Sequence, residues 1–329
     1  MILILSQSDL ESSSDQVIEW LDTFNVDYKR INGIDFYQNL KLSFHKSGPK
    51  FSHPAIDLSI IKLVWFRRWM SFNDLKLMYL DSRISGMEYQ DNFKTNFNNL
   101  IGNEQRNLAE FFFRSIPKEK HFSRLEYQEI NKLEVLQYAS EVGLEIPETH
   151  ILTSRLDLNE IIQSGVYITK AIANAPTIRY QNEKFLAYTA EVANIEENLG
   201  ESFSPSLFQK LIEKKYEIRS FLLDDEIYSM AIFSQKDEQT KLDFRQYNYA
   251  RPNRNVPIKL PSDIKFKLLK IAKKFSLRTG SFDLIKTKEN KYIFLEVNPE
   301  GQFGMVSYPC NYYLEKKIAL KMKELINYE

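Results

Sequence analysis

The chain has 329 residues, and its 44 Lys and Arg residues balance its 44 Asp and Glu residues, so the formal net charge is zero. A neutral chain has no overall field that would attract nucleic acid or anionic lipid, so neither is expected as a partner, and charged ligands need a local site. The length suits two or three domains. The one cysteine, Cys310, excludes an internal disulfide framework, and we interpret it as an incidental thiol in a reducing cytoplasm.

The first third of the sequence predicts a small doubly wound α/β unit. Residues 1–5 are apolar, are too short for a signal peptide or a membrane span, and predict a buried strand. Polar residues 12–15 precede apolar residues at helical spacing, which predicts a capped amphipathic helix. Strands are predicted at 27–31 and 58–65, and residues 85–115 are mostly helical in pattern.

The remainder predicts an α+β region and then a strand-rich region. A helix over 131–142 is ended by Gly143, and strands follow at 167–171 and 185–192. Two hairpins are predicted, one with strands 216–223 and 227–233 and the other with strands 280–286 and 292–297. A basic amphipathic helix over 261–275 separates the two hairpins, and a closing helix covers 312–326.

Three hard oxygen donors lie in the second hairpin. Alternation puts Glu296 and Asn298 on one face of their strand, where they can meet Asp283 across the ladder. Two carboxylates and an amide oxygen suit Mg²⁺, which completes its coordination with water and nucleotide phosphates. The alternative is that these residues are solvent-facing polar positions of an antiparallel sheet. The tight loop after Pro299, which Gly301 and Gly304 bound, favours a binding site.

Two lysines have sequence contexts that suit phosphate binding. Lys132 opens a helix after Asn131, and Lys170 ends a predicted strand, from which it would project as a point charge. Taken singly, each is more often a solvated surface group. Glu217 and Arg219 share one face of a strand, where a carboxylate can accept from ribose hydroxyls and a guanidinium can bind a phosphoryl group.

A second arginine with an acidic neighbour occurs in Asp243-Phe-Arg245. This pair would add a second guanidinium to the same region of the molecule. Taken alone, the pattern is better explained as a structural ion pair.

The order of these motifs resembles the ATP-grasp superfamily. The elements are Asn131-Lys132, Pro147-Glu-Thr149, Lys170, Gln209 to Ile212, Glu217-Ile-Arg219, Asp283 and Glu296-Val-Asn298-Pro299. Within that superfamily the chain looks like the graspetide synthetases, the microviridin-type peptide macrocyclases, or their grasp-with-SPASM branch. The further residues that carry this resemblance are Val64-Trp-Phe-Arg-Arg68, Lys214-Lys-Tyr-Glu217, Asp243-Phe-Arg245 and Gly301-Gln-Phe303.

The resemblance implies a mixed α/β and α+β architecture, the three-domain ATP-grasp fold. A pre-ATP-grasp domain would cover residues 1–124, a central lid-like domain 125–208, and a C-terminal domain 209–329. ATP would be held between the central and the C-terminal domains.

The resemblance also implies a role for each candidate residue. Phosphates would contact Lys132 and Lys170, the adenine edge would meet the backbone of Lys210, Leu211 and Ile212, and the ribose would bind Glu217. Asp283, Glu296 and Asn298 would hold Mg²⁺, Arg219 and Arg245 would face the γ-phosphate and the acyl phosphate, and Asp243 would position the attacking group.

Two departures from the superfamily pattern are visible. Many members cover the phosphates with a glycine-rich loop, whereas residues 171–180 contain no glycine. The turn at 288–291 has Asn290 where glycine is usual, and asparagine tolerates the left-handed conformation that such a turn needs.

The resulting hypothesis is a cytoplasmic ligase that uses ATP and Mg²⁺ on a precursor peptide with leader and core parts. It would phosphorylate Asp or Glu side chains and join them to Ser, Thr or Lys side chains as esters or amides. The central domain would recognise the leader, for example through the apparent hairpin at 178–180 and 185–188. A homodimer is a further expectation. The alternatives are an amino-acid or dipeptide ligase with small substrates, and a nucleotide-binding regulator of the same fold without turnover.

Overall fold

The computed structural model describes residues 1–7, 11–68, 91–124, 130–173, 178–180, 183–185, 188–195, 199–243, 246 and 248–327. Contacts between residues divide the chain into two compact units. Unit 1 combines Met1–Gln128 with Tyr313–Glu329, and unit 2 is Glu129–Tyr312. The three-domain division stays a prediction.

The α-helices of the described ranges are α1 (Ser12–Thr23), α2 (Gly33–Asn39), α3 (Asp91–Ser115), α4 (Lys132–Glu141), α5 (Arg155–Ile162), α6 (Glu238–Lys241), α7 (Ser262–Lys274), α8 (Gly304–Cys310) and α9 (Leu314–Asn327). The strands are β1 (Ile2–Ser6), β2 (Tyr28–Asn32), β3 (Lys41–His45), β4 (Gly48–Ser52), β5 (Leu63–Phe66), β6 (Thr149–Ser154), β7 (Tyr167–Lys170), β8 (Ile178–Tyr180), β9 (Glu183–Phe185), β10 (Ala190–Glu191), β11 (Ser202–Lys210), β12 (Lys214–Leu223), β13 (Glu226–Phe233), β14 (Arg254–Ile258), β15 (Thr279–Thr287) and β16 (Tyr292–Asn298).

Unit 1 contains a parallel three-stranded sheet in the order β2-β1-β5. Every residue of β1 is buried, as its apolar sequence predicts. Helix α9 returns to this unit and packs beside α1, where Lys316 Nζ lies 4.8 Å from the Trp20 ring centroid and Lys323 Nζ donates to Phe24 O at 3.0 Å. The N-cap of α1 is Glu11, one residue before the predicted polar cap, and its side chain accepts from Ser14 N.

The described part of unit 2 contains two larger antiparallel sheets and the two-stranded hairpin of β8 and β9. A four-stranded sheet has the order β10-β7-β11-β6, and its small core is formed by Leu158, Tyr167, Val192 and Phe208. A five-stranded sheet has the order β14-β13-β12-β15-β16. Helices α4 and α7 pack their apolar residues against one face of the five-stranded sheet. The opposite face, called the polar face below, carries Glu217, Arg219 and Asp283 together with buried apolar residues such as Phe221 and Met230.

The turns around the five-stranded sheet agree with their sequence. Asp224 has a φ of 57° in the loop between β12 and β13, and Asn290 has a φ of 63° between β15 and β16. Asparagine and aspartate tolerate this left-handed conformation better than other residues with a side chain. Gly143, with a φ of 83°, follows α4 as the predicted C-terminal cap.

Two predicted strands are wrong in extent. Residues Leu58–Ile60 form a short 3₁₀ turn because the Asp57 side chain accepts from Ser59 N, and the strand begins only at β5. The strand predicted over 185–192 is interrupted, since β9 ends at Phe185, β10 has two residues, and Val192–Asn194 is another 3₁₀ turn. Within the described ranges, no helix is both long enough and apolar enough to cross a bilayer.

Candidate functional site

Three charged residues form a row across the polar face of the five-stranded sheet. Arg219 on β12 is the register partner of Asp283 on β15, and Asp283 is the partner of Glu296 on β16. Arg219 Nη1 donates to both carboxylate oxygens of Asp283, at 3.1 and 3.0 Å. The structure therefore brings together three residues that lie up to 77 positions apart in the chain (219 to 296).

A bulge in β16 places Glu296 in this row. Asp283 pairs with Glu296, but Leu284 pairs with Phe294, so Leu295 is an extra residue in its strand. Regular alternation would put Phe294 and Glu296 on the same face. The bulge instead turns Phe294 into the apolar core beside Val297, while Glu296 stays on the polar face with Asp283.

Two lysines from different elements converge on the Glu296 carboxylate. Lys132 Nζ lies 3.4 Å from Glu296 Oε2, and Lys170 Nζ lies 3.8 Å from the same oxygen. Lys132 is the first residue of α4, whose N-cap Asn131 accepts from Leu133 N, and Lys170 ends β7 of the other sheet. The edge of the five-stranded sheet thus carries two cations that can meet a phosphate.

Asn298 lies at the end of β16, opposite Ser281. Its Oδ1 accepts from Glu300 N at 3.1 Å, and its backbone oxygen accepts from Gly301 N at 3.1 Å, so both groups hold the loop that follows. Gly301 passes very close to β15, since a Cβ atom at this position would lie 2.0 Å from Ser281 Oγ and 2.6 Å from Ser281 N. The loop after Pro299 therefore needs glycine for its close approach to the sheet.

Glu217 lies on the same polar face as Arg219, two residues before it, and only 7% of it is exposed. Its Oε1 accepts from Lys214 Nζ at 2.7 Å and from Ser234 Oγ at 2.9 Å. Burial raises the pKa of Glu217 and the nearby Asp243 raises it further, while the Lys214 cation opposes both effects. The site thus contains a buried carboxyl group whose charge depends on a neighbouring lysine.

The fourth acidic candidate, Asp243, is also buried. Thr189 N donates to its Oδ2 at 3.4 Å, and its charge acts on the carboxyl group of Glu217. The predicted arginine beside it, Arg245, lies outside the described residues, as do residues 174–177 in the loop where no glycine occurs.

Residues 210–212 connect the two sheets of unit 2. Lys210 N donates to Glu148 O at 2.9 Å and Leu211 N donates to Val166 O at 2.8 Å, so these two amide groups are engaged inside the fold. The carbonyl groups of these residues and the Ile212 amide are therefore the backbone groups that remain for the predicted contact with an adenine edge. The side chain of Lys210 turns to Glu148, with Nζ 3.5 Å from Oε2.

The donor set fits a magnesium ion that is shared with phosphates. Asp283 and Glu296 offer carboxylate oxygens on adjacent strands, and Mg²⁺ uses one or two carboxylates and fills its other positions with water and phosphate oxygens. No cluster of three His, Cys, Asp or Glu side chains occurs within the described ranges. Arg219 Nε is buried and has no hydrogen-bond partner among the described residues. A buried donor without a partner suits an anion beside the metal.

Sequence reasoning missed the two residues that hold Glu217. Lys214 belongs to one of the motifs, but regular alternation places its side chain on the face opposite Glu217, so the sequence does not predict their contact. Ser234 follows β13 and gives no signal in the sequence, since its partner is brought close only by the pairing of β12 with β13. The register of the sheet, and not a motif, identifies both.

The architecture matches solved ATP-grasp enzymes over nearly the whole chain. The macrocyclase MdnC from Microcystis aeruginosa, solved bound with precursor peptide MdnA, is 24% identical over 99% of this chain and 99% of its own, with a TM-score of 0.75. A RiPP-associated ATP-grasp ligase from Chryseobacterium gregarium, solved with ADP and a leader and core peptide, is 24% identical over 99% of this chain and 96% of its own, with a TM-score of 0.75.

The ATP-grasp ligase PsnB, solved with minimal precursor, Mg and ADP, is 15% identical over 99% of this chain and 97% of its own, with a TM-score of 0.70. No protein-family model matches the sequence, and no curated protein matches it either. The chain has the ATP-grasp fold, as its motif order predicts, and these neighbours include the peptide macrocyclases that the sequence resembles.

Proposed function

We propose that the protein is an ATP-dependent carboxylate ligase that forms side-chain rings in a ribosomal precursor peptide. The observation that carries this proposal is the row of Arg219, Asp283 and Glu296 with Lys132 and Lys170 at its edge. This row combines metal-binding oxygens with phosphate-binding cations on one sheet face. It lies in a fold shared with enzymes that were solved bound to precursor peptides.

The proposed reaction overcomes the poor reactivity of a carboxylate. A carboxylate oxygen of a peptide Asp or Glu attacks the γ-phosphorus of ATP and releases ADP, which gives an acyl phosphate. A Ser or Thr hydroxyl or a Lys amine of the same peptide then attacks the acyl carbon, loses its proton and expels phosphate. Each bond costs one ATP and removes the elements of one water from the peptide.

The residues of the site would neutralise charge and position groups, which is the main contribution of a protein to phosphoryl transfer. Lys132 and Lys170 would exchange their contacts with Glu296 for contacts with the phosphates. Asp283, Glu296 and Asn298 would hold Mg²⁺, whose charge offsets that of the phosphates. Arg219 would face the transferred phosphoryl group through its buried guanidinium. We assign Glu217 to the ribose hydroxyls and Asp243 to the attacking group, and Arg245 stays a predicted partner of the acyl phosphate.

Mass spectrometry tests this proposal directly. A short peptide encoded beside this gene is incubated with the protein, ATP and Mg²⁺, and its mass should fall by one water for every bond formed. Tandem spectra should show fragment-resistant rings, and the Glu296→Ala variant should give the unchanged mass. An unchanged peptide mass with the unmodified protein would refute the macrocyclase assignment. Phosphate release with free amino acids in that case would identify a ligase for small substrates, and no release with any acceptor would identify a nucleotide-binding regulator.

A leader-binding element and a cellular location complete the proposal. An antiparallel hairpin is formed by β8 and β9, although its second strand is Glu183–Phe185 and not the predicted 185–188. We propose this hairpin as the leader contact because it follows, in the chain, the strand that ends with Lys170. We place the enzyme in the cytoplasm, where ATP and a newly synthesised precursor peptide are both available.

A further inference from the structure

Lys214 reaches the candidate site only because β12 contains a bulge. Two residues three positions apart on a regular strand point to opposite faces, so Lys214 and Glu217 would not meet. Lys214 pairs with Thr287 and Tyr216 pairs with Lys286, so Lys215 is an extra residue in the strand. The bulge reverses the face of Lys214, and bulges of this kind often redirect a side chain beside an active site.

The redirected lysine is buried and joins two parts of the site. Its side chain is only 8% exposed, and its Nζ lies 2.7 Å from Glu217 Oε1. The same Nζ donates to Leu242 O at 3.1 Å, immediately before Asp243. A single cation thus connects the central strand of the sheet to the segment that carries Asp243.

We propose that Lys214 is a positioning residue, which holds the Glu217 carboxylate in place to accept a hydroxyl group of the bound nucleotide. This inference rests on the proposed function, in which Glu217 contacts the ribose. An ionised carboxylate is the stronger acceptor for a hydroxyl donor. Lys214 also limits the movement of residues 242 and 243 relative to β12, since it donates to both sides at once.

The charged groups around Glu217 explain why a cation is needed there. Asp243 raises the pKa of Glu217 in addition to burial, and Lys214 lowers it. The cross-strand neighbours Ile232 and Ile285 carry no charge, and Ser234 contributes one neutral donor. Without Lys214, the Glu217 carboxyl group would keep its proton to a higher pH.

Calorimetric titration with ADP in the presence of Mg²⁺ tests the inference. Lys214→Met should raise the Kd for ADP by about 10- to 100-fold, which corresponds to the loss of a hydrogen bond to a charged acceptor. Lys215→Met is the matched control, because Lys215 is exposed and adjacent, and its Kd should equal that of the unmodified protein. The Kd of Lys214→Met should fall as the pH is raised and Glu217 ionises, whereas that of Lys215→Met should not change with pH in this way.

A double-mutant cycle separates positioning from a general structural role. If Lys214 acts through Glu217, adding Lys214→Met to Glu217→Gln should change the ADP Kd of Glu217→Gln by no more than about twofold. The double variant has no buried charge at this point, so it also serves if Lys214→Met alone fails to fold. A further tenfold loss in the double variant, or a Lys214→Met protein that binds ADP normally, would overturn the inference. No ADP binding by the unmodified protein would instead refute the proposed function.

Discussion

Gly301 shows how one residue without a side chain shapes the approach to the site. We predict that Gly301→Ala destabilises the fold by about 1–3 kcal/mol, the usual cost of forcing an extra group into a packed region. Turnover should also fall, because the displaced loop is held by the backbone and side chain of Asn298. Chemical denaturation and a phosphate-release assay measure the two effects.

The control for this substitution is Gly200→Ala. A Cβ atom at Gly200 would meet its nearest neighbour, Ser202 O, at the ordinary contact distance of 3.5 Å. If Gly301→Ala behaved like Gly200→Ala, the close approach of the loop to Ser281 would not constrain the site.

The thiol of Cys310 is a specific reporter because the sequence contains no other cysteine. Burial raises its pKa to about 11, above the value of 9.0 for an exposed thiol. Since only the thiolate reacts, we predict slow alkylation of the folded protein at pH 8, with a rate that rises about tenfold per pH unit up to its pKa. Mass spectrometry after timed quenching measures the rate. The unfolded protein is the control, and an equal rate in both states would show that Cys310 is accessible.

At the residue scale, strand alternation predicts some side-chain directions correctly and others wrongly. Glu296 lies on the same face as its pairing partner Asp283, as strand alternation predicts, and Arg219 lies on this face too. Alternation alone, however, puts Phe294 on that same face and Lys214 on the other. Both positions are changed by bulges, and a bulge depends on the pairing of two strands, which a local pattern cannot reveal.

The next scale is the strand pair β15 and β16, which carries two carboxylates in different surroundings. The Asp283 side chain is 15% exposed and lies 3.0 Å from Arg219, whereas the Glu296 side chain is 25% exposed and its two lysines lie 3.4 and 3.8 Å away. We predict that Asp283→Asn lowers the free energy of unfolding by about 1–3 kcal/mol, because the arginine loses its charged partner. Glu296→Gln should change it by less than about 1 kcal/mol, because its ion pairs are longer and its side chain is more accessible to water.

Both substitutions should abolish turnover, although only Asp283→Asn should lower the stability substantially. Comparing the two variants therefore distinguishes an effect on activity from an effect on stability. Urea denaturation gives the free energies, and Glu145→Gln, which removes an exposed ion pair with Lys291, is the control for charge loss alone. Equal stability losses for Asp283→Asn and Glu296→Gln would contradict the difference in burial.

At the element scale, the helices and the long hairpins could be predicted because their periodicity and turn residues agree. Helices α1, α4, α7 and α9 and strands β12, β13, β15 and β16 lie within a few residues of their predicted bounds. The hairpin of β3 and β4, helix α5 and strands β6 and β11 gave no prediction. Many of their residues are partly or wholly exposed, so their sequences lack a sustained apolar period.

At the scale of the whole molecule, metal and nucleotide should bind as a pair. Lys132, Lys170 and Arg219 now neutralise Glu296 and Asp283, so Mg²⁺ alone must compete with three cations, whereas the phosphates of ADP give those cations a new partner. We predict that ADP with Mg²⁺ raises the melting temperature, with a gain of about 2.7 kcal/mol at a ligand concentration of 100 Kd.

Differential scanning calorimetry with ADP, with Mg²⁺ and with both measures this coupling. EDTA should remove most of the stabilisation, and the Glu296→Gln variant should show none of the additional effect of the metal. A full shift with ADP in EDTA would contradict a shared site.

The return of α9 to unit 1 has a consequence for synthesis on the ribosome. Unit 2 is continuous in sequence, so it can fold as soon as residues 129–312 have emerged. Unit 1 cannot complete its folding until α9 has been synthesised, because α9, the partner of α1, begins about 290 residues after α1 ends (23 to 314). During that interval the surface of α1 that α9 covers is open to water, to chaperones and to other nascent chains. The order of translation therefore leaves the α9-covered surface of α1 available for misassembly during that interval.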